Sequence, residues 1–253
     1  MKNNALVCIA KNEDNYIQEW IDYHLKLGFS GIYVYCNDWK YANDDPRVHV
    51  TDIAGHQQQL NAYNDFIARH SGPYDWALFI DVDEFLNIKK FSDVGDMFDS
   101  YDKFLAVGFN WRLFGDSNIK FDGNYSVLKR FTKCQAGLNR HIKTAINLAA
   151  FRKHGLRLPK FVNPHFIDYG YYDKVTVNAA KTGYIIGPWH TSDDLTVPCL
   201  HHYFTKTLDE WNCRRGYGRA DMDPSGSSFK RTLNEFYEHN FNDSENKELA
   251  DKF

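Results

Sequence analysis

The chain has no apolar stretch approaching 18 residues, so no segment reads as a membrane-spanning helix. It also lacks the core of a signal peptide, because only the six residues from Ala5 to Ala10 are continuously apolar before Lys11. There is no run of basic residues. Thirty Lys and Arg against 33 Asp and Glu leave a net charge of -3, which removes nucleic acid as the main partner. The five cysteines (Cys8, Cys36, Cys134, Cys199, Cys213) form no C-x-x-C pair, which argues against a thiolate zinc site or a disulfide framework. Together these absences lead us to expect reduced thiols in a cytoplasmic protein. No internal repeat and no Pro, Gly or Ser-rich linker divides the 253 residues, so one domain is expected.

What is present is a globular composition, 43% apolar and 25% charged, with an excess of aromatic residues at 16%. Flat rings suit sugars and nucleobases, yet they also fill ordinary cores. Ala5 to Ala10 and Gly31 to Cys36 read as buried parallel strands. Between them Ile17, Trp20, Ile21, His24, Leu25 and Gly28 recur at helical spacing, with Asp14 as the expected cap and Gly28 as the stop. A short strand over Arg47 to Thr51, a helix over 56–70 and a strand over Trp76 to Ile80 follow. Strands alternating with helices predict a mostly parallel sheet flanked by helices, with ligands beyond the carboxyl ends of the strands. After residue 103 the pattern becomes mixed. Strand-like pieces stand at Phe104 to Phe109, Tyr125 to Phe131 and Ile142 to Phe151, and helices at Leu208 to Arg219 and Ser227 to His239.

The sharpest local signal is Phe79-Ile-Asp81-Val-Asp83-Glu84-Phe85, where an apolar strand runs into three carboxylates. Strand alternation would put Asp81 and Asp83 on one side, facing a single hard divalent ion that also holds a diphosphate. A second cluster is His201-His202-Tyr203-Phe204-Thr205-Lys206, followed by Glu210 and Arg215-Gly216. It offers an imidazole ligand and a cation for phosphate. The third is Lys11-Asn12-Glu13, at the end of the first strand.

In this order, Cys8-Ile-Ala-Lys11-Asn12-Glu13 with Glu19-Trp20, then Asp81-Val-Asp83-Glu84-Phe85, then His202-Tyr-Phe-Thr-Lys206 with Glu210-Trp211 and Arg215-Gly216 resemble the family 2 and family 92 glycosyltransferases of GT-A fold. The resemblance spans residues 5 to about 220. It implies an α/β, Rossmann-like, mostly parallel sheet: a nucleotide-sugar-binding half over 1–103, a mixed acceptor half over 104–241 and a charged tail over 242–253. It further implies Mn²⁺ or Mg²⁺ held by Asp81, Asp83 and a late histidine. His202 is preferred for that histidine, with His201 and His190 as rivals. Asp83 is the firmer ligand, and Asp81 serves ribose or metal-bound water. Lys11, Asn12, Glu13 and Asp38 would frame the base and ribose, Gln57 and Gln58 would flank the nucleotide, and Lys206 or Arg215 would add a cation for the diphosphate.

The activity implied is transfer of a sugar, a hexose by default, from a UDP-type donor to a glycan or lipid-linked glycan acceptor. Inversion is expected, in bacterial surface polysaccharide or lipopolysaccharide synthesis, with peripheral contact at the inner membrane face. An inverting enzyme needs a base at the acceptor hydroxyl. Asp116 in the turn after Trp111 is the first choice, with Glu210 and His165 as alternatives. Two other classes remain: a haloacid-dehalogenase-like phosphatase using Asp81 as nucleophile and Asp83 as acid, and a non-catalytic carbohydrate-binding protein using the aromatic residues.

Overall fold

The computed structural model describes residues 2–170, 174–217, 225–226 and 230–253. Its first half is regularly wound: β1 (Asn4–Ala10), α1 (Ile17–Lys26), β2 (Gly31–Asn37), β3 (Val48–Ile53), α2 (Gln59–Arg69) and β4 (Trp76–Phe79). The strands lie in the order β3-β2-β1-β4, all parallel. Successive residues of β1 face opposite sides, and both sides are covered. Leu6 and Cys8 join a core with Trp20 and Ile21 of α1, while Ala5 and Val7 join one with Tyr63 and Phe66 of α2. That double burial is why the strand is apolar without alternation.

The second half comprises β5 (Glu84–Asn87), α3 (Val94–Asp99), β6 (Ala106–Leu113), α4 (Val127–Arg130), β7 (Lys133–Cys134), β8 (Ile142–Asn147) and α5 (Leu148–Lys153). These are followed by β9 (Lys160–Asn163), β10 (Phe166–Asp168), β11 (Thr176–Asn178), β12 (Tyr184–Ile185), β13 (Cys199–His202), α6 (Leu208–Tyr217), α7 (Leu233–His239) and β14 (Ser244–Glu245). β8 enters the sheet antiparallel between β4 and β6, and β13 bridges β6 (parallel) and β5 (antiparallel). The expected α/β architecture, a sheet flanked by helices and mixed in its second half, is the one observed. Among the described residues no helix is long and apolar enough to cross a membrane.

Several local expectations are corrected. The segment Tyr125 to Phe131 contains a helical turn, not a strand, because the Glu19 carboxylate accepts from Ser126 Oγ and Val127 N, both at 2.6 Å, and caps α4. Ile142 to Phe151 is strand only to Asn147, whose side chain accepts from Ala150 N and starts α5. Asp14 does not cap α1; its carboxylate accepts from Trp39 Nε1. The 242–253 segment is not a loose tail. Ser244 pairs with Cys134, Leu249 is buried, and Phe253 packs 5.6 Å from the Tyr23 ring. The expected helix limits at Arg219 and Ser227 lie outside the described residues.

Candidate active site

A cleft of about 790 Å³ opens past the carboxyl ends of β1 and β4, where a parallel sheet of this kind places its ligand. Residues 11–16 form one wall, Asp81 to Asp83 the floor, and Trp111, His141, His165, His202, Phe204 and Arg214 the other side. Three segments far apart in sequence are thereby brought together.

Between β4 and β5 the chain turns, with Glu84 N donating to Asp81 O at 3.0 Å, so the strand-like alternation expected for Asp81 and Asp83 does not hold. The two carboxylates find different partners. Asp81 accepts from Gln59 Nε2 at 2.6 Å and from Lys143 Nζ at 2.9 Å. Lys143 is fully buried; burial opposes its charge, but Asp81 and Glu84 win and its pKa is raised. Asp83 Oδ1 lies 3.3 Å from His202 Nε2, and Arg214 Nη2 donates to Asp83 Oδ2 at 3.1 Å. Burial disfavours this carboxylate's charge, yet His202 and Arg214 hold it well below the usual range.

Among the described residues no group of three His, Cys, Asp or Glu side chains comes together to hold a metal. Asp83 and His202 do, as a pair. A carboxylate oxygen and an imidazole nitrogen 3.3 Å apart can form one edge of a coordination shell. Mg²⁺-type sites commonly take one or two protein ligands and complete themselves with phosphate and water. The pair therefore fits a divalent ion; Asp81, tied to Lys143, does not join it.

Strand alternation decides among the histidines. His202 faces the cleft, whereas His201 points the other way, fully buried, with Nε2 3.0 Å from Asn87 Nδ2 and the ring 4.6 Å from Phe114. Burial pushes His201 down to about 3. His190 is outside the cleft, against Asn178 Nδ2 at 3.2 Å.

The three base candidates separate equally clearly. Asp116 is not part of the cleft wall; its carboxylate accepts from Asn118 N at 2.9 Å and Asn242 Nδ2 at 3.0 Å, which makes it a turn residue anchoring the C-terminal segment. Glu210 reaches the cleft but is fully committed. Arg130 donates to both its oxygens (2.7 and 3.0 Å), and Tyr16 OH (2.7 Å) and Thr207 Oγ1 (2.6 Å) add to them. Burial works against its charge, but these donors hold it at about 2 and fill both its oxygens, which leaves no site to take a substrate proton. Thr207 and Glu210 form a reciprocal capping box on α6, a T-x-x-E pattern present in the sequence but not exploited in reading it. His165 lines the cleft and donates from Nδ1 to Ile142 O at 2.9 Å, which leaves Nε2 to accept a proton. Burial and Lys143 lower it to about 3.

The predicted nucleotide contacts are also sorted. Lys11, Asn12 and Glu13 line the cleft, and Asn12 adopts a left-handed φ of 57°. Burial raises the Glu13 carboxyl, against the pull of Lys206 and Arg214. Asp38 stands outside the wall but holds Lys11 at 3.4 Å and accepts from Gly55 N at 3.1 Å. Gln57 and Gln58 stay outside, because α2 begins at Gln59 and it is Gln59 that reaches Asp81. Arg215 points away, donating to Arg231 O at 2.9 Å; of this adjacent pair it is Arg214 that lines the cleft, as Arg231 also does. Lys206 lies behind the wall, its Nζ buried without a hydrogen-bond partner and 4.5 Å from the Tyr16 ring centre, and burial lowers it to about 8.

No protein-family model matches the chain, and no curated protein matches it. Among solved structures it is similar to HddC from Yersinia pseudotuberculosis, at 9% identity over 70% of this chain and 89% of that one, with a TM-score of 0.40. It is similar also to 2-C-methyl-D-erythritol 4-phosphate cytidylyltransferase from Thermus thermophilus, at 11% identity over 68% of this chain and 94% of that one, TM-score 0.34. TarS of S. aureus matches at 12% identity over 60% of this chain, TM-score 0.36, and the chain spans only 29% of the length of TarS. At these scores the functional assignment rests on the cleft and not on the neighbours.

Proposed function

We propose that the protein is a divalent-metal-dependent glycosyltransferase that moves a hexose from a nucleotide diphosphosugar, UDP-linked by default, to a glycan acceptor with inversion. The observation that carries this reading is convergence. The three motifs that resemble the GT-A enzymes, separated by up to 191 residues, deliver Lys11 to Glu13, Asp83 and His202 to one cleft at the carboxyl ends of parallel strands.

Asp83 and His202 would hold the ion, which when bound supplies positive charge to a departing diphosphate. Arg214 stands beside Asp83 as a protein cation for the same phosphates. Gln59 and Lys143 fix Asp81 at the floor, where its exposed edge can take ribose hydroxyls. His165 is the base in this reading. Its tautomer is set by Ile142, which leaves Nε2 to accept the hydroxyl proton, whereas both oxygens of Glu210 are filled by donors.

Surface polysaccharide or lipopolysaccharide synthesis, at the cytoplasmic face of a membrane, is the setting that the resemblance suggests. The phosphatase alternative requires Asp81 as nucleophile, where Lys143 and Gln59 each donate to one of its oxygens. The test is nucleotide release from UDP-glucose, UDP-galactose, their N-acetyl forms and GDP-mannose with Mn²⁺, Mg²⁺ or chelator. Metal-dependent release from one donor is expected. Release of phosphate from a generic monoester with no donor turned over would reverse the assignment.

A further inference from the structure

Trp189 is a large aromatic residue exposed at 54%, and two backbone hydrogen bonds hold its segment in place. It bridges His141 in antiparallel fashion, the preceding Pro188 O accepts from Ile142 N at 3.2 Å, and the following His190 N donates to Arg140 O at 2.7 Å. The Arg140 guanidinium lies 5.1 Å from the ring centre. An exposed indole clamped in this way is a preorganised surface, since ordering it on binding costs little.

Its position relative to the cleft gives the surface a meaning. The Trp189 ring lies 6.2 Å from that of His141, which lines the cleft; His141 stacks 4.9 Å from Trp111, and Trp111 lies 4.4 Å from His202. Aromatic rings thus run without a gap from the molecular surface to the Asp83–His202 pair. Beside them is polar chemistry suited to hydroxyls. His141 Nδ1 faces Asn139 Oδ1 at 2.8 Å and donates to it, which leaves His141 Nε2 as an acceptor. Flat apolar faces flanked by a few fixed hydrogen-bonding groups match a pyranose, which has one apolar face and a rim of hydroxyls.

We infer that Trp189 and His141 form an outer acceptor subsite, and that the acceptor is a saccharide of two or more residues, one stacked on Trp189 and a later one in the cleft beside His141. The inference takes the acceptor class from the proposed transferase activity, but its test reads binding without transfer. A lipid surface is the competing occupant. It is disfavoured because the ring run leads inward from Trp189 to the cleft.

The experiment titrates the full chain with mono- to pentasaccharides of glucose, galactose and N-acetylglucosamine, following tryptophan fluorescence and heat. It uses wild type, Trp189→Ala, Trp189→Phe and His141→Ala, each checked by thermal melting. One series should bind at least tenfold tighter as trisaccharide than as monosaccharide. Trp189→Ala should erase that gain, Trp189→Phe should keep most of it, and nucleotide release from the donor without acceptor should stay within twofold in Trp189→Ala. Absence of any length-dependent series, or an unchanged gain in Trp189→Ala, would overturn the inference. So would Trp189-dependent cosedimentation with anionic phospholipid vesicles in place of saccharide binding. If saccharide binding behaves as expected while wild type releases no nucleotide from any donor, the transferase reading fails and the subsite stands.

Discussion

Nε2 of His202 lies 3.3 Å from Oδ1 of Asp83, across 119 residues of sequence and between β13 and the turn after β4. β13 pairs with β5 in a register that sets His202 opposite Glu84, and Tyr203 N donates to Asp83 O at 2.9 Å, which ties the turn carrying Asp83 to the same strand. The adjacent His201 points to the opposite side of the strand. The two histidines should therefore fail in different ways. His202→Ala is expected to abolish metal-dependent donor binding with little change in melting temperature. His201→Ala should cost about 2–4 kcal/mol of stability through a buried cavity and one hydrogen bond lost at Asn87, while the folded fraction still binds donor. Calorimetric donor titration alongside thermal melts checks both.

Arg214 and Arg215 offer a second contrast within one helical turn. Arg214→Ala should lower donor turnover roughly 100-fold, the scale expected when one fixed charge at developing anionic oxygens is lost. Arg215→Ala, which removes contacts to the Arg231 carbonyl and the Asn212 side chain, should stay within about threefold of wild type. Steady-state nucleotide release measures the two, and equal losses would contradict the geometry.

The Arg130–Glu210 pair is structural. Removing one partner of a buried, bidentate ion pair leaves the other uncompensated, so Glu210→Ala should destabilise the fold by about 3–5 kcal/mol. The sign with pH follows from the depressed carboxyl. Its folded pKa of about 2 lies below the ordinary unfolded value, so its contribution is complete above about 4.3 and fades as pH falls toward 2. Denaturant unfolding of wild type and Glu210→Gln from pH 6 to 2 should show their stability difference shrinking over that window.

For the acceptor step, Asp116→Asn should leave transfer near the wild-type rate, because Asp116 serves a turn and the Asn242 side chain outside the cleft. His165→Gln should retain donor binding, while transfer falls roughly 100-fold for want of a proton acceptor. The reverse order of effects would return the base role to Asp116.

The wound half of the fold was legible because its signals are local. The apolar run of β1 and the three-and-four spacing of α1 are decided by residues adjacent in sequence, and the core on both faces confirms them. Tyr125 to Phe131 was misread because its helical turn is capped by Glu19, more than 100 residues upstream. Register is undetermined at two helix ends where like residues adjoin: Gln57, Gln58 and Gln59, or Arg214 and Arg215, cannot be told apart until the first residue of the helix is known. Asp116 looked free because its partner, Asn242, lies on a segment whose charged composition hid the burial of Leu249 and Phe253 against the core. All three motifs lead to the cleft.

The central claim is that Asp83, with His202, holds a divalent ion that carries a nucleotide diphosphosugar. Calorimetry of UDP-sugars against wild type and Asp83→Ala, each with Mn²⁺ and with chelator, tests it most directly. We expect one UDP-sugar to bind wild type with Mn²⁺, at least 100-fold more weakly with chelator, and not at all to a folded Asp83→Ala. Donor binding that is equal with Mn²⁺ and chelator, or that survives in Asp83→Ala, would contradict the account.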